Sequence, residues 1–436
     1  MSWLERSTIR HMVLEQKGGY LLLPVAIMFG LSLVAFILPH LEANTVLAHA
    51  AAHLPWLVPK DPAMSQLLLG AVAGSCITIV SVVYSVLLIA LTFASIQFSP
   101  RILNSFWRDH VSQMTLGLFI GTFAYCLILL PSVHGKSVPV LSLSFALVLA
   151  TLCLFFLIYF IHHIALAIQV NYIVDRISRD TEHVLKRVFG GKLKGFPKAE
   201  ESVEEPSDRI AVPSSKTGYV QFVDEATLTE LAIKHNLSIF LNRATGQFIP
   251  AGVPCLSISP HTADSPEVRR QCLRCMHIGP LRSMENDVEF GFLQIVDIAL
   301  KAISPAVNDP STAISCIDHL SSLLIMAATF EPPPSRIYDE NGVVRLLRRQ
   351  TSFVRLLEIA YNQISPYGKG DMAVCLRLMR ALHDISGVTN YPPYLAALRK
   401  QGQLIARLCA ANFSEEETEE LTQRLAVIEK RSRDVS

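Results

Sequence analysis

The chain has 436 residues, of which 51% are hydrophobic and only 17% charged, with a formal net charge of +1. An ordinary soluble domain carries about a quarter charged residues, so much of this chain belongs in a membrane, and its near-neutrality gives no reason to expect a nucleic-acid partner. Seven of the 38 Lys and Arg, and five of the 37 Asp and Glu, fall in the first 170 residues, so an apolar part is followed by a polar part of balanced charge.

A short segment, 1–18, carries Arg6, Arg10 and Lys17. Four apolar runs of spanning length follow, at 19–38, 67–98, 114–130 and 139–168; a bilayer core needs about 20 helical residues, and none of the four contains Asp, Glu, Lys or Arg. They predict a four-helix transmembrane domain over 19–168. Orientation follows from the basic residues at their ends. Arg6, Arg10 and Lys17 precede the first run, Arg101 and Arg108 separate the second from the third, and Arg176, Arg179, Lys186, Arg187, Lys192 and Lys194 follow the fourth; the other two loops hold Lys60 and Lys136 alone. Both termini are therefore expected in the cytoplasm, with Trp107 at the inner interface and Trp56 in an outer loop. The triplet Ala48-His49-Ala50 looks like a signal-peptidase site, but the first run is too long and too far upstream of it for a cleaved signal.

The second run, "SCITIVSVVYSVLLIALTFASIQFSPR", places Thr78, Ser81, Ser85, Leu88, Thr92 and Ser95 at alternating steps of three and four, with Ser99 beyond. Two readings stay open. Small and hydroxylated residues let helices pack closely; equally, a wet hydroxyl face lines a pore once symmetry supplies further copies. Pro100 predicts a kink where this helix leaves the membrane. Gly117 and Gly121, in the third run, form a Gly-x-x-x-Gly pair suited to helix contact. His162 and His163 end the fourth run; they suit an interfacial position, with pH sensing or metal binding as the sharper reading. The apolar pattern continues past them to Phe189, which predicts one unbroken helix over 139–189, with 169–191 as a helical stalk.

A Pro- and Ser-rich stretch, 192–217, reads as a linker, and 218–260 as a small α/β subdomain. Its "GQFIPAGVPCLSI" rhythm loosely resembles the hairpin of lipoyl- or biotinyl-carrying domains. The modifiable Lys is missing, so no prosthetic group is implied. From 261 to 436 the pattern is helical, interrupted by a loop and short hairpin near 330–344. Asp309 and Pro310 suit the cap and first position of a helix, and Ser414 with Glu417 has capping-box spacing. Cys272, Cys275 and His277 make an incomplete zinc set, since a structural site wants four ligands; no metal is expected. Nucleophile elbows, phosphate loops and zinc-protease motifs are absent, so no enzymatic activity and no cofactor are expected.

The segments "SVLLIALTFASIQFSPRIL" and "RSMENDVEFGFLQIVDIALKAISPAVNDPSTAISCIDHL", with "IHHIA" and "GYVQFVD" between them, resemble a large family of bacterial four-helix predicted membrane proteins of unknown function. The likeness covers most of the chain, departing at Lys301, where Arg is usual, and Ser311, where an aromatic is usual. It implies an architecture rather than an activity. It also directs attention to a polar motif, Arg282, Asp287, Asp297, Asn308, Asp309 and Thr312, suited to turn-and-cap work or to binding a small anion. The whole predicts an α-helical polytopic membrane domain plus a cytosolic α+β domain, in the cell (inner) membrane as a homo-oligomer. Its expected role is channel-like or transport; a membrane-anchored small-molecule sensor is the alternative.

Overall fold

The structure is a computed structural model, and it describes residues 19–42, 59, 61–97, 109–133, 138–190, 208–260 and 265–434. The orienting residues Arg6, Arg10, Lys17, Lys60, Arg101, Arg108, Lys136, Lys192 and Lys194, together with Trp56, Trp107, Ser99 and Pro100, lie outside them. The chain divides into two units, Met1–Gln169 and Val170–Ser436.

The first unit contains α1 (Gly19–Glu42), α2 (Pro62–Gln97), α3 (His110–Leu129, extended by a 3-10 turn at Leu130–Ser132) and α4 (Val140–Ala167). None holds a charged residue between its ends except the terminal Glu42 of α1. The third helix packs against the other three. Its buried residues Leu118, Phe119, Tyr125, Cys126 and Leu129 meet Ala35 of α1, Leu69, Ala73 and Cys76 of α2, and Leu143, Ala146, Leu149 and Cys153 of α4. A second cluster joins Val83, Leu87 and Ala90 of α2 to Phe160 and Ile164 of α4. The outer faces stay apolar: Leu21, Phe29, Leu33 and Phe36 of α1, and Phe155 and Ile158 of α4, are all more than half exposed. Such a surface suits lipid rather than water.

The sequence predicts four spanning helices; among the described residues five are long and apolar enough. The fifth, α9 (Pro310–Thr329), lies in the second unit and has a mean hydropathy of 1.3 against 1.9 to 2.7 for the other four. The sequence places this stretch in the polar part, as a helix opening at Asp309 and Pro310. The single helix expected over 139–189 is two. Ile168 closes a last α-type bond to Ile164, Gln169 bonds back only three residues to Leu166, and α5 (Val170–Val188) begins afresh. Within the second unit α5 is not a bare stalk. It buries Ile173, Val174, Ile177, Thr181, Val184 and Leu185 and packs against α8 (Val288–Ala302) and α9. Gly291 of α8 makes room for it, since a Cβ there would lie 2.0 Å from the Thr181 hydroxyl.

The rest of the second unit is α+β. β1 (Ile210–Pro213), β2 (Gly218–Val223), α6 (Glu225–Lys234), β3 (Ser238–Leu241), β4 (Phe248–Ile249), β5 (Pro254–Ser259), α7 (Pro266–Arg274) and β6 (Met276–Gly279) precede α8. After α9 come β7 (Arg336–Tyr338), β8 (Val344–Leu347), α10 (Phe353–Tyr361), α11 (Ile364–Gly368), α12 (Met372–Val388), α13 (Pro392–Ala410) and α14 (Glu415–Asp434). The strands form a five-stranded sheet in the order β1-β5-β3-β8-β7 and a three-stranded sheet in the order β4-β2-β6. All pairings are antiparallel except β3 with β8.

Two strands fall where the sequence suggests none. β1 sits in the stretch read as linker, and β6 in the region read as helical. Each is four residues long, too short to show alternation, and each is recruited by a neighbouring edge. Helix starts follow side-chain caps: Asp224, Ser265, Asp287, Asp309, Ser352 and Asp371 each accept a backbone N–H in the first turn. The capping box forms as its spacing suggests, with Ser414 Oγ and Glu417 Oε2 2.8 Å apart.

Candidate functional site

The second helix is built with two opposed sides. Leu69, Ala73, Cys76, Val83, Leu87 and Ala90 are buried against α3 and α4. At about 100° per residue, Gly70, Gly74, Thr78, Ser81, Ser85, Leu88 and Thr92 fall within an arc of ~80° on the opposite side. All seven are exposed. A Cβ added at Gly70 or Gly74 would meet no atom within 4 Å. Small residues on this crest therefore serve no packing among the described residues. Exposed apolar shoulders flank it, Ile77 and Tyr84 on one side and Val82, Ile89 and Phe93 on the other. The sequence already continues this face upward through Gly74 and Ala71; Gly70, one further step of four before Gly74, is the member it missed. Ser95 belongs to α2, but its side chain lies outside the described residues.

Each described hydroxyl donates to the carbonyl four residues back: Thr78 to Gly74 at 2.8 Å, Ser81 to Ile77 at 3.2 Å, Ser85 to Ser81 at 2.8 Å and Thr92 to Leu88 at 2.8 Å. That spends the one proton and leaves the oxygen lone pairs outward. The crest is thus a row of uncharged acceptors.

The Gly-x-x-x-Gly pair has a different job. A Cβ at Gly117 would lie 2.9 Å from the Pro24 backbone and 2.9 Å from Ile27 Cδ1; one at Gly121 would lie 2.7 Å from Leu31 Cδ1. These glycines seat α1 on α3. Gly117→Leu is expected to push α1 off the bundle and cost about 1–3 kcal/mol, because the obstructing atom belongs to the backbone. The check is a lower unfolding temperature in detergent, with Gly74→Leu as the control that leaves it unchanged.

Carboxylates fasten both ends of the bundle. Glu42 accepts from the Leu141 and Ser142 amides at 2.8 and 3.2 Å, placing its charge at the amino end of α4, where the helix dipole favours it. At the other end Asp109 caps α3 through Ser112, and His163 Nε2 lies 2.9 Å from Asp109 Oδ1. The adjacent histidines therefore have different surroundings: His163 joins two helices and His162 is exposed. Glu42 and Asp109 lie outside the apolar runs and gave no spacing signal linking them to α4.

In the second unit the polar motif does not converge. Arg282 and Asp287 form a bidentate ion pair before α8, where Asp287 is almost fully buried and caps the helix through the Phe290 amide at 3.0 Å. Burial pushes the Asp287 carboxyl up, and the arginine beside it pulls it down. Asn308, Asp309 and Thr312 sit beyond the other end of α8, about 22 Å along a helix of this length. There Asn308 takes a left-handed backbone (φ 50°) and Asp309 caps α9 through Thr312. Asp297 lies half-buried between the two ends. The sequence missed a partner of the first group: Gly246, at φ 86°, lies so close that a Cβ would meet Asp287 Oδ2 at 1.9 Å.

Cys272 and Cys275 are buried, and burial pushes their thiols up, to about 11 and about 12, so both stay protonated. His277 packs its ring 5.8 Å from Phe222. Among the described residues no group of three or more His, Cys, Asp or Glu is placed to hold a metal ion.

Residues 17–384 match the family described as "Predicted membrane protein (DUF2254)". The chain belongs to this family. Uncharacterized proteins of Mycobacterium bovis and Mycobacterium tuberculosis are each 30% identical to it over 355 residues, covering 79% of this chain and 68% of theirs. No solved structure matches it. Membership of DUF2254, with the apolar helices of the first unit, makes this a multi-pass membrane protein.

Proposed function

We propose that this protein assembles as a symmetric homo-oligomer in the cell (inner) membrane, with α2 of each copy turning its polar crest toward a shared axis and lining a path for a small solute. The reading rests on one observation above the rest: the crest lies opposite the packed face of α2 and, among the described residues, is exposed rather than packed on another helix. One crest cannot enclose a path, and rotational symmetry supplies the others. Because the hydroxyl protons are spent on helix carbonyls, the path offers uncharged acceptors, which favour a partly hydrated monovalent cation over an anion. Exposed Leu88 interrupts the row and supplies an apolar constriction of the kind that gates by dewetting. The distribution of Lys and Arg puts both termini and the second unit on the cytoplasmic side. The role is regulatory or conductive rather than enzymatic.

Purified protein in liposomes tests this. Potassium release well above that of protein-free liposomes is expected. Release equal to that of protein-free liposomes contradicts the reading.

A further inference from the structure

The second unit has an arginine-lined cleft unconnected with the argument about α2. Its larger lobe, about 530 Å³, opens where the parallel strands β3 and β8 end, and is lined by Arg209, Arg348 and Arg349 with no acidic residue. Leu241, Arg348 and Arg349 also line an adjoining lobe of about 410 Å³, which adds Arg187 and Arg243. Each lobe has the size of a small-molecule site, a few hundred Å³.

The charge in this cleft is unbalanced. Three acids line the second lobe, and each is already engaged. Asp224 caps α6 by accepting from the Thr227 amide and hydroxyl, at 3.1 and 2.8 Å. Glu225 is ion-paired with Arg348. Asp287 holds Arg282 and caps α8. Among the described residues no carboxylate pairs with Arg187, Arg243 or Arg349. Arg187 donates to a backbone carbonyl, that of Glu285, at 3.0 Å. Arg243 has a buried Nε without a hydrogen-bond partner. A buried donor left unmade costs about 1–3 kcal/mol, and an ordered water or a bound anion would satisfy it. Arg349 is exposed. In the first lobe Arg209 lies over the Phe240 ring at 5.3 Å, and Asn242 Nδ2 donates to Ser257 Oγ at 3.0 Å.

We propose that this cleft binds a soluble small molecule carrying two or more phosphate groups, with Arg243 and Arg349 as its phosphate contacts. Planar guanidinium groups match phosphate oxygens bidentately, and a multiply charged phosphate supplies the negative charge the lining lacks. The proposal stands or falls independently of conduction through α2.

The test uses the full chain in detergent and three probes: inorganic pyrophosphate, ATP, and short-chain phosphatidic acid. Binding is read by thermal shift and by calorimetry. Pyrophosphate or ATP is expected to raise the unfolding temperature. Arg349→Ala, whose side chain is exposed and makes no ion pair among the described residues, is expected to weaken that binding about tenfold or more, the scale of a hydrogen bond between charged groups, while the ligand-free unfolding temperature stays put. Arg243→Gln is expected to weaken it similarly. Arg407→Ala, on an exposed helix face outside the cleft, is expected to change nothing. The proposal is overturned if neither pyrophosphate nor ATP shifts the parent, if Arg349→Ala binds as the parent does, or if Arg407→Ala weakens binding equally. It is overturned in favour of a lipid headgroup if phosphatidic acid alone produces the shift.

Discussion

Gly246→Val is expected to destabilise the second unit by about 3–5 kcal/mol, the cost of breaking a buried ion pair. Gly246 has φ 86°, a conformation a β-branched residue adopts only under strain. The added side chain would also occupy the space of Asp287 Oδ2 and crowd Arg282 Nε, 2.8 Å from a Cβ. Asp287 is 4% exposed, so its charge has no water to turn to once Arg282 is displaced. It is also the cap of α8, whose buried residues Phe292, Ile295, Val296 and Ala299 belong to the helical core of this unit. A fall of about 10 °C in unfolding temperature is expected for a unit of this size. Asp287→Asn keeps an acceptor for the Phe290 amide while removing the charge, so its fall should be smaller than that of Asp287→Ala. An unfolding temperature for Gly246→Val within a degree of the parent's would show that the ion pair does not depend on the glycine.

The second large effect concerns Ser85. Ser85→Lys in every copy would place a ring of positive charge around the proposed path, and potassium release is expected to fall about tenfold or more by direct repulsion. Ser85→Glu should keep the path open and sharpen its preference for cations. Lipid makes the opposite forecast. A charge facing hydrocarbon near the middle of a span costs about 2.5–3.5 kcal/mol whichever its sign, so both variants would insert poorly and neither would separate charge. Ile89→Trp, on the apolar shoulder, is the companion control. It should leave release unchanged, because a large aromatic there adds to a surface already apolar.

How much of this was legible follows from which signals act locally. The four spans of the first unit could be read because lipid demands long apolar runs, and no tertiary partner is needed to recognise them. α9 shows the converse. Composition and length admit it to the same class, yet Ala313, Ile317, Leu320 and Leu324 bury it against other helices of the second unit. Caps were legible at Asp309 and Ser414 because donor and acceptor lie three residues apart. The periodicity that marked the crest of α2 was visible too, but not which way it faces. That depends on where Leu69, Cys76, Val83 and Leu87 find partners, which no local pattern states. The contacts of Glu42 with Leu141, His163 with Asp109 and Gly246 with Asp287 join residues 99, 54 and 41 positions apart. The polar motif is grouped by the family resemblance, which states no distances; α8 holds its members apart as a rod. The cleft was invisible because Arg187, Arg243 and Arg349 come from three distant segments.

The most direct measurement is the pattern of modification along α2. The nine native cysteines are all buried, so a charged, membrane-impermeant thiol reagent should give little background. Single cysteines placed at 78, 81, 85 and 92, and at 77, 82, 89 and 93, would be tested in liposomes. Reaction at the first four and not at the second four is what a water-lined crest requires. Equal protection at all eight positions, in protein that is otherwise folded and inserted, would mean that the crest meets lipid or another helix, and the path would not exist.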